Sequence, residues 1–193
     1  MNKTLIALAI ATALPLGAFA QTVATEIQRD VNQQQRIEQG LKSGALTTRE
    51  ASKLEKEEAK VDRMESRALK NGSVSPAEQA RINKAQNRVS RDIERDKHNA
   101  ATGNPNSASS QRMQADVQRN IDQQKRIEQG VKSGSLTNRE AGRLERGQAR
   151  VDAREAHAGA NGQVNAREQR RIRTAENHQS RRIFNAKHNA ATK

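Results

Sequence analysis

The sequence predicts an all-α protein built from two tandem copies of a three-helix unit. Three observations carry that prediction. Residues 31–102 align without a gap onto residues 121–192 at a constant offset of 90, and 40 of the 72 pairs are identical. Apolar residues recur at helical spacing, as in Ala51, Leu54, Val61 and Ala68, matched by Ala141, Leu144, Val151 and Ala158. Helix-start signatures stand at equivalent places in both copies. Composition alone points towards disorder, because large apolar residues are few and net charge is +13. A disordered tail has no reason to keep a helical stripe through a duplication, so placement outweighs composition.

In chain order, residues 1–20 read as a secretory signal peptide. Lys3 supplies the positive start, Leu5 to Leu14 the apolar stretch, Pro15 a breaker and Ala18-Phe19-Ala20 the cleavage site, with the cut between Ala20 and Gln21. The apolar stretch is shorter than the ~20 residues a membrane span needs. A periplasmic or secreted protein is expected, without a transmembrane segment in its mature chain. The absence of cysteine excludes a lipid-anchored lipoprotein, disulfides and thiolate metal sites.

Repeat unit 1 covers residues 21–102 and holds three expected helices, near 24–43, 47–71 and 76–100. Ile27, Val31, Ile37 and Leu41 stripe the first. Thr47 and Glu50 form a capping box for the second, and Ser75 and Glu78 one for the third, with Pro76 at the first helical position. Leu46 and Val74 precede these caps as hydrophobic staples, and Gly44 and Gly72 are placed to end the preceding helices. Residues 103–110 read as a flexible linker. Repeat unit 2 covers residues 111–193, with helices near 112–133, 137–160 and 166–190; Thr137/Glu140 and Asn165/Glu168 are its caps. Gly142, Gly147, Gly159 and Gly162, within or beside its second helix, are expected to weaken it. Each unit is marginal alone, so mutual packing, homo-oligomerisation or a partner must supply the missing burial.

The copies differ in charge. Residues 21–102 carry 16 basic and 13 acidic residues, whereas residues 103–193 carry 18 and 9. Arg143, Arg146, Arg150 and Arg154 recur at a spacing of three to four on one helix, and Arg170, Arg171, Arg173, Arg181 and Arg182 follow on the next. Such a face suits phosphate-rich polyanions. The expected partner is therefore an anionic envelope polymer or a client protein.

Metal binding is the alternative. Gly72-Val74-Glu78 and Gly162-Val164-Glu168, each preceded by Asn71 or Asn161, resemble the second half of an EF-hand calcium loop. That resemblance implies calcium ligands at Asn71, Glu78, Asn161 and Glu168. The positions for the first ligands depart from it, being Arg67 and Leu69 in one copy and His157 and Gly159 in the other. His98 and His188, kept in both copies, are candidate zinc or copper ligands, set against a helix C-terminal role. Glu65 and Glu155 lie near the apolar stripe and are expected to pair with Arg36/Arg126 or Arg81/Arg171. No kept nucleophile stands beside a base, so no catalytic residue and no cofactor are expected. Leu46-Thr47-Thr48-Arg49-Glu50 and Leu136-Thr137-Asn138-Arg139-Glu140 resemble the Leu-Thr-x-x-Gln marker of small Spy-type periplasmic helical chaperones, differing at the last residue. The resemblance implies a stress-protective role in the envelope and no site residue.

Overall fold

A computed structural model describes residues 16–189, with side chains described from Thr22 onward. The expected apolar stretch of the signal, Leu5 to Leu14, lies outside the described residues. Six α-helices follow in order: α1 (Leu16–Ser43), α2 (Thr48–Ala68), α3 (Pro76–Lys97), α4 (Ala108–Lys132), α5 (Asn138–Ala158) and α6 (Ala166–Lys187). Short 3-10 turns extend α2 (Leu69–Asn71) and α5 (Gly159–Asn161). No strand occurs among the described residues.

The helix starts form for the local reasons the sequence gives. Thr47 Oγ1 accepts from the Glu50 N–H at 3.2 Å, and the Glu50 carboxylate takes the Thr47 N–H at 2.9 Å. The same reciprocal cap closes Ser75/Glu78, Thr137/Glu140 and Asn165/Glu168. Between the helices, Gly44, Gly72, Gly134 and Gly162 all have φ between 72° and 93°. Only glycine takes that left-handed conformation without strain. Helix α4 starts at Ala108 behind a Ser107 cap, inside the segment expected as a linker. The segment is also pinned, since the Gly103 N–H donates to Gly44 O at 2.8 Å.

Narrow stripes become a core because the two copies bury them against each other. Helix α2 runs antiparallel along α5, and α1 lies along α4; these are the two most extensive helix pairings. The register of α2 on α5 is fixed at both ends by matching bonds. Arg49 donates to Asn161 O at 3.1 Å, and Arg139 donates to Asn71 O at 3.3 Å. In this register Asp62 lies across from Gln148, and Glu58 across from Asp152. Helices α3 and α6 cover α2 and α5 from outside. One apolar cluster joins Ile37, Leu41, Leu54 and Ile93 of the first copy to Met113, Val117, Ile121 and Ile172 of the second.

Two glycines expected to weaken α5 are close-approach points. A Cβ at Gly142 would stand 2.6 Å from Leu69 Cβ, and one at Gly159 would stand 2.7 Å from Ser52 Cβ. At Gly147 the Gln179 side chain fills the space a Cβ would need. The helix still runs 21 residues. The propensity cost of about 1 kcal/mol per glycine is set against tighter helix contact. No helix among the described residues is long and apolar enough to cross a membrane.

Candidate functional site

The period of α5 sets Arg143, Arg146, Arg150 and Arg154 along its outer face, and α6 adds Arg171 and Arg182 from across a groove. Arg63, Arg150, Arg154, His157 and Arg171 line one stretch of about 600 Å³. Arg143, Arg146, Arg150 and Arg182 line the next, of about 440 Å³. Arg150, Arg154, His178 and Arg182 line a smaller one of about 190 Å³. Arg150 belongs to all three, so the stretches form one predominantly basic surface, with Glu168 in the first stretch and Glu140 in the second. Of the arginines expected to share this face, Arg170, Arg173 and Arg181 line none of the three. Arg173 faces the Asp116 and Glu176 carboxyls instead.

The equivalent surface of the first copy is electrically mixed. There Lys60 pairs with Glu57 at 2.6 Å, and Arg95 with Asp92 at 2.5 Å. The second copy carries Gly147 where the first has Glu57, Arg182 where it has Asp92, and Phe184 where it has Glu94. The second copy therefore carries fewer acids on this face, with arginine at one of those places, although Glu140 and Glu168 still line the groove. Phe184 is 56% exposed and stacks on His188 with ring centroids 4.2 Å apart.

The loop and histidine candidates are occupied locally. The Glu78 carboxylate takes the Ser75 N–H at 2.9 Å, and bonds from the Ser75 side chain and N–H hold its pKa below the ordinary value. Glu168 takes the Asn165 N–H at 2.8 Å. Asn71 and Asn161 turn their side-chain oxygens onto the N–H groups of Ser73 and Gln163. Guanidinium groups of Arg139 and Arg49 bond to the carbonyls of those same two asparagines. His98 and His188 sit at the C-caps of α3 and α6. Each bonds through Nδ1 to a carbonyl one turn back, at 2.8 and 2.7 Å.

Glu65 and Glu155 do not take the arginine partners expected of them. Gln86 donates to Glu65 at 3.1 Å, and Asn120 donates to Glu155 at 2.8 Å. Arg36 and Arg126 bond instead to Ser90 and Ser180, at 2.6 and 2.7 Å.

Sequence reasoning missed what surrounds Glu65 and Glu155. Between α2 and α5 lie Glu55, Glu58, Asp62, Glu65, Glu145, Asp152 and Glu155, with Asp30 of α1 beside them, none more than 2% exposed. No lysine or arginine is buried among the described residues. Burial drives the carboxyls upward: Asp30 and Glu55 to about 7 and Glu145 to about 8. Glu58, Asp62, Glu65, Asp152 and Glu155 are also raised well above the ordinary range, by burial first and by one another's charge second. The signal was present in the sequence. Glu55, Asp62 and Glu65 recur as Glu145, Asp152 and Glu155 at spacings of seven and three, which is one helical face.

Compared with known proteins, the chain matches no family model, no curated protein and no solved structure.

Proposed function

We propose that this is an exported binding protein without catalytic activity, which holds phosphate-bearing anionic polymers of the bacterial envelope in the α5–α6 groove. The observation that carries the reading is the convergence on Arg150 of basic side chains from two helices, on a face that carries fewer acids than its counterpart in the first copy. Guanidinium groups pair bidentately with phosphate oxygens. An open groove lets several bind along one polymer, and the helical scaffold keeps their spacing. The A-x-A signal supports the envelope as the place of action.

Client-protein binding in the manner of Spy-type chaperones has less support, since Phe184 is the exposed large hydrophobic among the described residues. The test is binding to lipopolysaccharide across a salt series. Affinity should fall steeply with salt. Replacing Arg143, Arg146 and Arg150 with Ala should flatten the slope by roughly one unit per arginine. Salt-independent binding, or an unchanged slope in the triple variant, removes the reading. Parallel titrations with dephosphorylated lipopolysaccharide and with DNA show whether phosphate is required and whether the carrier matters.

A further inference from the structure

We propose that the core between α2 and α5 binds hard divalent metal ions of the calcium, magnesium or manganese class, one in each of two carboxylate cages. The first cage consists of Asp30, Asp62, Glu65 and Glu145, with Gln148 across from Asp62. The second consists of Glu55, Glu58, Asp152 and Glu155, with Asn120.

Carboxylate oxygens of Asp30, Asp62 and Glu65 lie within 4.8 Å of one another, as do those of Glu55, Asp152 and Glu155. Glu145 adds its charge to Asp62 and Glu65, and Glu58 has Asp30, Glu55 and Asp152 as electrostatic neighbours. Asp62 and Asp152 hydrogen-bond each other where the cages meet.

A crowd of buried acids is not in itself a site, but three further features point to a ligand. Glu58 is 1% exposed, and neither of its carboxylate oxygens has a hydrogen-bond partner; Gln148 is fully buried with both ends of its amide unpartnered. Leaving such groups unmet inside a protein costs kilocalories each. In addition, amide donors cover only part of each cage. Gln86 covers Asp30 Oδ1 and Glu65 Oε1, and Asn120 covers Asp152 Oδ1 and Glu155 Oε2. In the first cage Asp30 and Glu65 hydrogen-bond each other, and Asp62 Oδ2 and Glu145 Oε1 have no partner. Glu55 Oε1, both Glu58 oxygens and Glu155 Oε1 have none in the second.

The third feature comes from the duplication. Glu55, Asp62 and Glu65 recur as Glu145, Asp152 and Glu155, all buried, while nearly half of the aligned positions changed. Solubility gives no reason to hold the same three acids inside the core of both copies.

The ligand chemistry selects the ion. All donors are carboxylate or amide oxygens, as hard cations require, and no imidazole or thiolate is present for zinc or copper. A dication would neutralise charge that no buried lysine or arginine meets. Its competitor is the proton.

The test is calorimetric titration of the full chain with manganese, calcium and magnesium, each at pH 7.5, after treatment with chelator. Two ions per chain should bind, and Asp62→Asn combined with Asp152→Asn should weaken binding at least 100-fold. The amide variants keep side-chain shape and remove unmet charge, so in chelator they should melt at or above the temperature of the parent; that melt verifies their fold. Binding of magnesium, calcium and manganese all absent at millimolar concentration overturns the proposal. So does binding that survives in a folded double variant, because the ions would then sit on surface acids.

Discussion

Helix α5 carries two opposite electrical worlds on opposite faces. Its outer face holds Arg143, Arg146, Arg150 and Arg154 around an open groove; its inner face holds Glu145, Asp152 and Glu155 at 2% exposure or less. The difference shows how differently charge behaves in the two places. On the outer face water and salt screen like charges, so arginines accumulate at little cost and accidental pairs contribute little. On the inner face charge is expensive unless something meets it. The outer excess therefore needs no structural explanation, and its interest lies in how few acids it holds compared with the first copy. The inner excess does need one, and the recurrence of Glu55, Asp62 and Glu65 as Glu145, Asp152 and Glu155 is the clue. The formal charge of +13 counts the buried carboxyls as ionised, so the outer surface is more positive than that figure.

The largest effect expected is on how stability varies with pH. Buried carboxyls with raised pKa hold their protons more tightly folded than unfolded. Their contribution is fully present below the unfolded values near 4 and is lost as pH rises through the folded ones, which reach about 7 for Asp30 and Glu55 and about 8 for Glu145. In chelator, the melting temperature should fall by about 5–10 °C between pH 5 and pH 8, given 2–4 °C per kcal/mol for a chain of this size. The capping acids work in the other direction. Burial raises the Glu50 pKa, but the bonds from Thr47 and Asn99 outweigh it and hold the value low, so its contribution is lost only at more acid pH. A flat or rising profile from pH 5 to 8 would show that the inner acids meet their charge in another way.

Glu58→Gln comes next. It gives the first copy the residue the second already has at Gln148 and removes a buried charge with no hydrogen-bond partner. In chelator at pH 8 it should raise the melting temperature by about 3–5 °C, on the order of 1–2 kcal/mol. It should weaken one cation site and spare the other.

Helix caps provide a calibration indifferent to the interior. Thr47→Ala and Thr137→Ala each remove the same reciprocal cap. Each should cost about 1 kcal/mol, with or without cation. Unequal losses measured by denaturant unfolding would mean that the two copies are not equally anchored.

Arg182→Asp should have the smallest effect on stability. It gives the groove the acid found at Asp92 in the first copy. Melting should shift by less than about 0.5 kcal/mol, as for most surface changes, while affinity for lipopolysaccharide at low salt should fall by about tenfold. Unchanged affinity would make the groove an ordinary solvated surface.

Local features were legible in the sequence because their cause is local. Thr47 and Glu50 are three residues apart and find each other in any chain that starts a helix there, and Gly72 announces its own left-handed turn. The long-range features were not. Glu55, Glu58, Asp62 and Glu65 share the helical period of Leu54 and Val61, but polar residues beside a narrow stripe ordinarily face water. Only the antiparallel approach of α5, made close by Gly142 and Gly159, encloses them. Glu65 was visible as a kept acid near the stripe. Its partner Gln86 lies on a different helix, and no spacing rule connects the two. The Arg-rich face was legible on α5 and only half so on α6, where Arg171 and Arg182 reach the groove and Arg173 turns towards Asp116 and Glu176.

The most direct test of the acidic interior is anomalous diffraction from crystals grown in excess manganese. Two peaks are expected between α2 and α5, one bounded by Asp30, Asp62, Glu65 and Glu145 and the other by Glu55, Glu58, Asp152 and Glu155. Manganese confined to exposed acids, with none between these helices, would contradict the account.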